Sequence, residues 1–371
     1  MTAKLGVIVL AGPDNGGTYQ YTLSMLQGLQ HVKGVEITIY GDPLDAKLAK
    51  FGYPIVPFAE SRAQQLAALV AYRLKVRLPD PFRAEDLLLA PIYSLALLHT
   101  SKPFTYTLHD LQENYYPENF SLWQRIWRHQ VHAGLLRQSR RVICESHHVK
   151  SDIVRSFGVA EERIAVMQAP PQREFSTEPG PQELQEVRSR LQLPSRFLFY
   201  PARFWVHKNH LRLIEAFREI VNEAPDFELV LTGKKRDEYP VVMEAVDRLG
   251  LRGSIRHLGY VEENDLPAIY RLATALVMPS LFESVSIPIY EAFQAGIPVV
   301  ASGILAIPEQ VGDAAALFDP TSVASIRDAV LEIIRDPVAA NLLGKKGHDR
   351  MMQMTPERYG SQLQDLLHEF R

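Results

Sequence analysis

The chain has 371 residues, 46% of them hydrophobic and 22% charged, with a formal charge of −3. That length exceeds a usual single core and predicts two domains of an ordinary globular protein, and the near-neutral balance gives no basis for nucleic-acid binding. Cys144 is the only cysteine, which excludes an intramolecular disulfide, and no stretch approaches the ~20 apolar residues of a membrane span.

Strand-like runs alternate with helix-like ones, which predicts parallel sheets built from βαβ units. Residues 5–10 read as the first strand. They run directly into a Gly-rich turn without a small-residue cleavage pattern, so a strand is favoured over a signal-peptide core, and the cytoplasm is the expected location. Residues 18–29 are the clearest helix of the first half. The turn between, Ala11-Gly-Pro-Asp-Asn-Gly-Gly-Thr-Tyr, is neither a G-x-G-x-x-G fingerprint nor a P-loop. Gly16 and Gly17 can still bring backbone N–H groups close to an anion at the helix start.

Further strands are expected at 35–40, 104–108 and 141–144. His109 and Asp110 stand at the C-terminal end of the second of these, where Asp110 either orients the ring or caps the next segment. Residues 121–141 read as a helix with Trp123, Trp127, Val131 and Leu135 at four-residue spacing. Arg125, Arg128 and His132 lie off that stripe, and Arg137, Arg140 and Arg141 follow. Two readings stand: an amphipathic helix with a solvated basic face, or a basic and aromatic face meeting an anionic membrane. Cys144 reads as a buried small hydrophobe and Ser146 as an N-cap. His147 and His148 are adjacent and point in different directions, which argues against a shared metal.

Ala169-Pro-Pro and Glu178-Pro-Gly-Pro mark a passage between halves. The expected domains are therefore 1–175 and 195–371, with a linker at 176–194, a cleft between the halves, and a last helix at about 355–371 returning to the first domain. The second half opens with a strand at 197–200 and a helix at 209–221. Strands at 228–231, 255–258, 275–278 and 298–301 follow. Arg203 and Lys208 stand in the loop after its first strand, where cations suit a leaving diphosphate.

Pro279 and Ser280 end the strand at 275–278, and Pro288 suits the first turn of a helix that Gly296 closes. Glu283 thus lies in a loop at a strand's C-terminal end, and Glu291 in the first turns of the following helix. The N–H groups of Val285, Ser286 and Ile287 between them feed a helix N-terminus, a ready anion site at the sheet edge where ligands bind. No Asp-x-Asp doublet occupies a strand end and no His/Cys cluster has zinc spacing, so no metal is expected.

Phe282-Glu-Ser-x-x-Ile-Pro-x-x-Glu-Ala-x-x-x-Gly-x-Pro-Val-Val resembles the E-x7-E signature of the family 4 retaining glycosyltransferases, which have the GT-B fold of two Rossmann-like doubly wound domains. The resemblance implies that Arg203 and Lys208 hold the donor's diphosphate, that Glu283 binds donor-sugar hydroxyls, and that Glu291 takes the ribose diol. The turn at Gly16 and Gly17 is similar to the family's glycine loop. The His109-Asp-Leu segment is similar to one whose histidine lies near the transferring sugar and positions it. Loops like those at Gly233 and Tyr260 lie beside the base, and Ile307-Pro-Glu-Gln-Val-Gly-Asp extends the match. Many relatives have glycine where Ser284 and Ser286 stand, and residues 45–100 match little.

The implied activity is metal-independent, retaining transfer of a hexose-type sugar, without cofactor, from a nucleotide-sugar donor. The acceptor would be a glycan or lipid-linked glycan in cell-surface polysaccharide synthesis. The alternatives are a non-hydrolysing nucleotide-sugar epimerase, which shares the fold, and a nucleotide-sugar-binding subunit without turnover.

Overall fold

The computed structural model describes residues 2–171 and 179–369. The chain divides into two units, one formed by Met1–Gln172 with Met354–Arg371, the other by Arg173–Gln353.

Unit 1 is built on a parallel sheet of β1 (Ala3–Ile8), β2 (Val35–Gly41), β3 (Ile55–Pro57), β4 (Leu87–Ala90), β5 (Phe104–Thr107), β6 (Arg141–Cys144) and β7 (Ile164–Val166), in the order β3-β2-β1-β4-β5-β6-β7. All four residues of β4, an apolar run, and all four of β5 are buried, as expected of central strands of a parallel sheet. Unit 2 carries β8 (Phe197–Pro201), β9 (Glu228–Thr232), β10 (Ile255–His257), β11 (Ala275–Met278), β12 (Val299–Ser302) and β13 (Ala316–Phe318), again parallel, in the order β10-β9-β8-β11-β12-β13. Each sheet reverses its winding beside its first strand, between β1 and β4 and between β8 and β11. Those are the topological switch points, where ligands of open α/β sheets bind beyond the strands' C-terminal ends.

In unit 1 the helix Pro356–His368 packs on the helix Gly17–Leu29. A Cβ added at Gly360 would lie 2.5 Å from the Gly28 carbonyl oxygen, so glycine permits the close crossing. The Tyr359 hydroxyl donates to that of Tyr21 at 3.2 Å.

Most expected strands lie within one or two residues of their observed bounds. Four were not read: β3, β7 and β13, each three residues long, and β4, embedded in a longer apolar run. The stretch 176–194, read as linker, contains the helix Pro181–Arg190, whose Arg190 forks onto both oxygens of Asp265 at 2.6 and 2.9 Å. Residues 176–178 of that stretch lie outside the described residues.

Candidate active site

Unit 2 concentrates charge at its switch point. The loops leaving β8 and β11 are tied together through their backbones. The Leu281 N–H donates to the His207 carbonyl at 2.7 Å, and the buried Tyr200 hydroxyl donates to the Lys208 carbonyl at 2.7 Å. Asn209 adopts φ 60°, ψ 35°, a left-handed conformation that asparagine tolerates. From there its amide donates to the carbonyls of Pro279 at 2.9 Å and Pro320 at 2.8 Å. Lys208 ends the short turn Val206–Lys208, and these ties place its Nζ 2.5 Å from Glu283 Oε1. Both side chains are largely buried, so this is a short, charge-assisted contact with little freedom to wander.

Glu283 stands in the loop between β11 and the helix Ile287–Ala295. Pro288 lies in that helix's first turn and Gly296 closes it at φ 71°. The helix N-terminus has no side-chain cap. The hydroxyl of Ser286, at the N-cap position, is buried without a hydrogen-bond partner among the described residues. An uncapped helix start beside an unsatisfied hydroxyl is the arrangement an anionic ligand completes. The Ser286 backbone takes no part: its N–H donates to Gln310 Oε1 at 2.9 Å, and its carbonyl accepts from Gln310 Nε2 at 2.7 Å. Of the donors read from the sequence, the Ser286 N–H is therefore spent on Gln310.

Glu291 is 2% exposed and its Oε2 accepts from the Tyr270 hydroxyl at 2.6 Å. Arg203 lies in the loop after β8, drawn tight by the Trp205 N–H donating to the Arg203 carbonyl at 2.8 Å. Next to it Phe204 stacks on His210, with centroids 4.3 Å apart and rings 16° from parallel. Burial pushes the His210 pKa down to about 3, so this ring packs as a neutral aromatic. Gly233 has φ 125°, and a Cβ there would lie 2.4 Å from the Ala202 carbonyl oxygen. Its N–H donates to the Gly259 carbonyl at 2.9 Å, and Tyr260 beside that residue is exposed. Arg203, Lys208, Gly233, Tyr260, Glu283, Val285, Ser286, Ile287 and Glu291 thus all lie in unit 2, on the loops and helix that follow its strands.

In unit 1, Gly16 takes φ 58° and Gly17 opens the helix Gly17–Leu29, whose start also lacks a side-chain cap. His109 follows β5 and meets residues that follow the strands on either side. Its Nδ1 is 3.0 Å from Glu145 Oε2, and its Nε2 is 2.9 Å from the Pro91 carbonyl oxygen. Both neighbours are acceptors, an arrangement that favours a proton on each ring nitrogen. Burial opposes the charged form, but the hydrogen bond and charge of Glu145, with smaller help from the Pro91 carbonyl and Asp110, outweigh it and hold the pKa above 6.5. Glu145 is therefore the orienting carboxylate. Asp110 instead accepts from the Gln112 N–H and from Arg128, each at 3.2 Å. Around the C-terminal ends of β1 to β4 lies a cavity of about 700 Å³, lined in part by Gly12, Asp42, Phe58, Glu60 and Tyr93.

The helix Leu122–Gln138 differs from its sequence reading. Val131 and Leu135 are buried and Trp127 packs against the core, but Trp123 is 80% exposed, because the apolar packing starts only at the second turn. Arg128 is paired with Asp110 and Glu113, and burial lowers the His132 pKa to about 3, so neither extends a basic face. Cys144 is buried, and Ser146 caps its helix by accepting from the Val149 N–H at 3.2 Å. Among the described residues no group of three His, Cys, Asp or Glu side chains could hold a metal, and no helix is long and apolar enough to cross a membrane.

Gln310, Tyr270, Asn209 and Glu145 escaped the sequence reading. Gln310, Asn209 and Glu145 lie in segments noted for their resemblance but were given no role.

Two family models match, one per unit: "Glycosyl transferases group 1" over residues 182–350 and "Glycosyltransferase Family 4" over residues 15–169. The O-antigen chain mannosyltransferase B of Escherichia coli is 29% identical over 61% of this chain, which spans 60% of that protein. The O-antigen chain mannosyltransferase RfbU of Salmonella typhimurium is 25% identical over 92% of this chain and 95% of its own length. The crystal structure of Anabaena HepE in complex with UDP and glucose superposes with a TM-score of 0.79, at 18% identity, over 99% of this chain and 100% of that one. That likeness shows the fold.

Proposed function

This chain belongs to the family 4 glycosyltransferases and has their GT-B fold, and from that premise we propose that it transfers a hexose-type sugar, mannose in particular, from a nucleotide-sugar donor to a growing O-antigen-type glycan. The observation that carries the donor assignment is Lys208 paired with Glu283 at the unit 2 switch point, beside a helix start that lacks a cap and holds the unsatisfied Ser286 hydroxyl. A donor's diphosphate satisfies all three: it takes Lys208 as a counter-ion, the Ser286 hydroxyl as a donor, and the helix N-terminus as a dipole. HepE, of like fold, is bound to UDP and glucose, and the two named relatives are mannosyltransferases, which supports a nucleotide donor and this sugar.

In this reading Arg203 adds a second cation to the diphosphate, Glu283 turns from Lys208 to the sugar hydroxyls, and Glu291 takes the ribose diol. As the bond from the anomeric carbon to the phosphate oxygen breaks, the cations stabilise the charge on the leaving group. The acceptor oxygen attacks from the same face and its proton passes to that phosphate oxygen, so the configuration is retained. No metal enters this scheme. The unit 1 cavity, with Phe58, Tyr93 and Asp42 on its wall, suits a sugar acceptor, apolar ring faces on the aromatics and hydroxyls on the carboxylate.

Thermal melts with UDP-, GDP-, ADP- and dTDP-sugars test the reading, because a ligand of the native state raises the melting temperature by mass action. One class of donor should stabilise the protein and release its diphosphate only when a glycan acceptor is added. Stabilisation by none, or conversion of donor alone to its epimer, would overturn it.

A further inference from the structure

A further exposed apolar surface of unit 1 lies apart from both the candidate site and the helix Leu122–Gln138. The helix Arg62–Arg73 buries Ala68, Leu69 and Ala71 and turns Leu66, Val70 and Leu74 outward, at positions i, i+4 and i+8 of one stripe. These three are 55%, 47% and 70% exposed, and Val76 just beyond is 53% exposed. Exposed cations flank the stripe: Arg62, Arg73, Lys75 and Arg77. No acidic residue stands anywhere from Ser61 to Pro79.

The helix end carries a second signal. The Val76 N–H donates to the Ala71 carbonyl at 2.8 Å and the Lys75 N–H to the Tyr72 carbonyl at 3.1 Å. Those two bonds make a Schellman stop, in which the residue at Lys75 must be left-handed, and Lys75 has φ 57°. Glycine is the usual occupant, and a side chain there is strained. The chain keeps a cation at this position in spite of that strain.

We propose that residues 62–77 dock the protein on an anionic phospholipid bilayer, with Leu66, Val70, Leu74 and Val76 entering the interface and Arg62, Arg73, Lys75 and Arg77 meeting the headgroups. An apolar stripe bordered by cations, which here form no ion pair among the described residues, is the pattern of a helix lying in a membrane surface. The competing surface, Leu122, Trp123 and Ile126, is exposed, but Arg128 of the same helix is already paired with Asp110 and Glu113. The proposal rests on the transferase reading only in its purpose, which is to bring the enzyme to a lipid-linked glycan.

Flotation with phosphatidylcholine vesicles, with and without phosphatidylglycerol, tests it without any transfer assay. Wild-type protein should float with the anionic vesicles at low salt and be released at high salt. Arg73→Gln, Lys75→Gln and Arg77→Gln together should lower partitioning about a hundredfold, and Leu66→Ser, Val70→Ser and Leu74→Ser should abolish it, with melting temperatures unchanged. Lys75→Gly should raise the melting temperature while weakening partitioning about fivefold. Trp123→Ser should change nothing. Absence of flotation, equal flotation with neutral vesicles, indifference to the 66–77 substitutions, or loss through Trp123→Ser would each overturn the assignment. Donor-induced stabilisation, read on the same proteins, reports separately on the transferase reading.

Discussion

Gln310→Ala removes one side chain, strands the Ser286 N–H and leaves the Ser286 carbonyl only the Ile289 N–H, at 3.2 Å. Gln310 is 1% exposed, and its amide closes a two-bond clasp on Ser286, accepting from the N–H at 2.9 Å and donating to the carbonyl at 2.7 Å. A buried polar group left unpaired costs ~1–3 kcal/mol and a net hydrogen bond ~1 kcal/mol, so the stranded N–H and the weakened carbonyl, with some relaxation of the loop, give roughly 2–3 kcal/mol. For a unit of this size each kcal/mol is worth ~2–4 °C, so the unit 2 transition should fall by roughly 4–12 °C. Gln310→Met separates bonding from bulk, since it fills nearly the same space without either hydrogen bond, and it should lose nearly as much. Differential scanning calorimetry reads the stability, and titration with the nucleoside diphosphate reads the loop, whose affinity should fall with the order of the 279–286 segment. If Gln310→Ala melts and binds as wild type does, the clasp does not hold the loop. If Gln310→Met behaves as wild type while Gln310→Ala does not, packing holds it instead.

Gly233→Ala should destabilise unit 2 by roughly 2–4 kcal/mol and weaken nucleotide binding, because its Cβ must displace the Ala202 carbonyl beside Arg203 at a φ that alanine resists; chemical denaturation checks the first and calorimetry the second. Transfer should survive EDTA and fall severely in Arg203→Ala, so activity lost to the chelator and restored by a divalent cation would remove the metal-free scheme. The folded-state pKa of His109 is raised above 6.5, so the stability it contributes is complete below that value and is lost as pH rises through the raised pKa. Above pH 6.5 the melting temperature of wild type should therefore decline more steeply than that of Glu145→Gln. His132 has the opposite sign, its stability being lost as pH falls from 6.5 toward about 3, so it does not contaminate that window.

What the sequence made legible follows from physics that is local. The fully buried strands β11 and β12 announced themselves as apolar runs, and the Pro288 and Gly296 brackets placed the helix Ile287–Ala295 to within a residue. The strands β3, β7 and β13 did not, because three residues establish no period and edge positions are half exposed. Glu283 and Lys208 could be named from their loops, but their contact could not, since the winding of the sheet joins residues 75 apart. Gln310 and Glu145 were hidden for the same reason: each is an ordinary polar residue until the sheet order brings Ser286 or His109 beside it. Trp123 misled because spacing says which residues share a helix face, and not how far along the helix the neighbouring core extends.

The central claim is that Lys208 holds the donor's diphosphate and that Glu283 serves the sugar instead. Titrating the nucleoside diphosphate into Lys208→Ala and Glu283→Ala tests it most directly. Lys208→Ala removes a cation from the phosphates, and a hydrogen bond to a charged group is worth ~1.5–3 kcal/mol, so the affinity should fall about ten- to a hundredfold. Glu283→Ala instead releases Lys208 from its carboxylate, so the diphosphate should bind as tightly as to wild type, or more tightly, while sugar transfer is lost. Equal weakening in both variants, or undiminished binding in Lys208→Ala, would contradict the account.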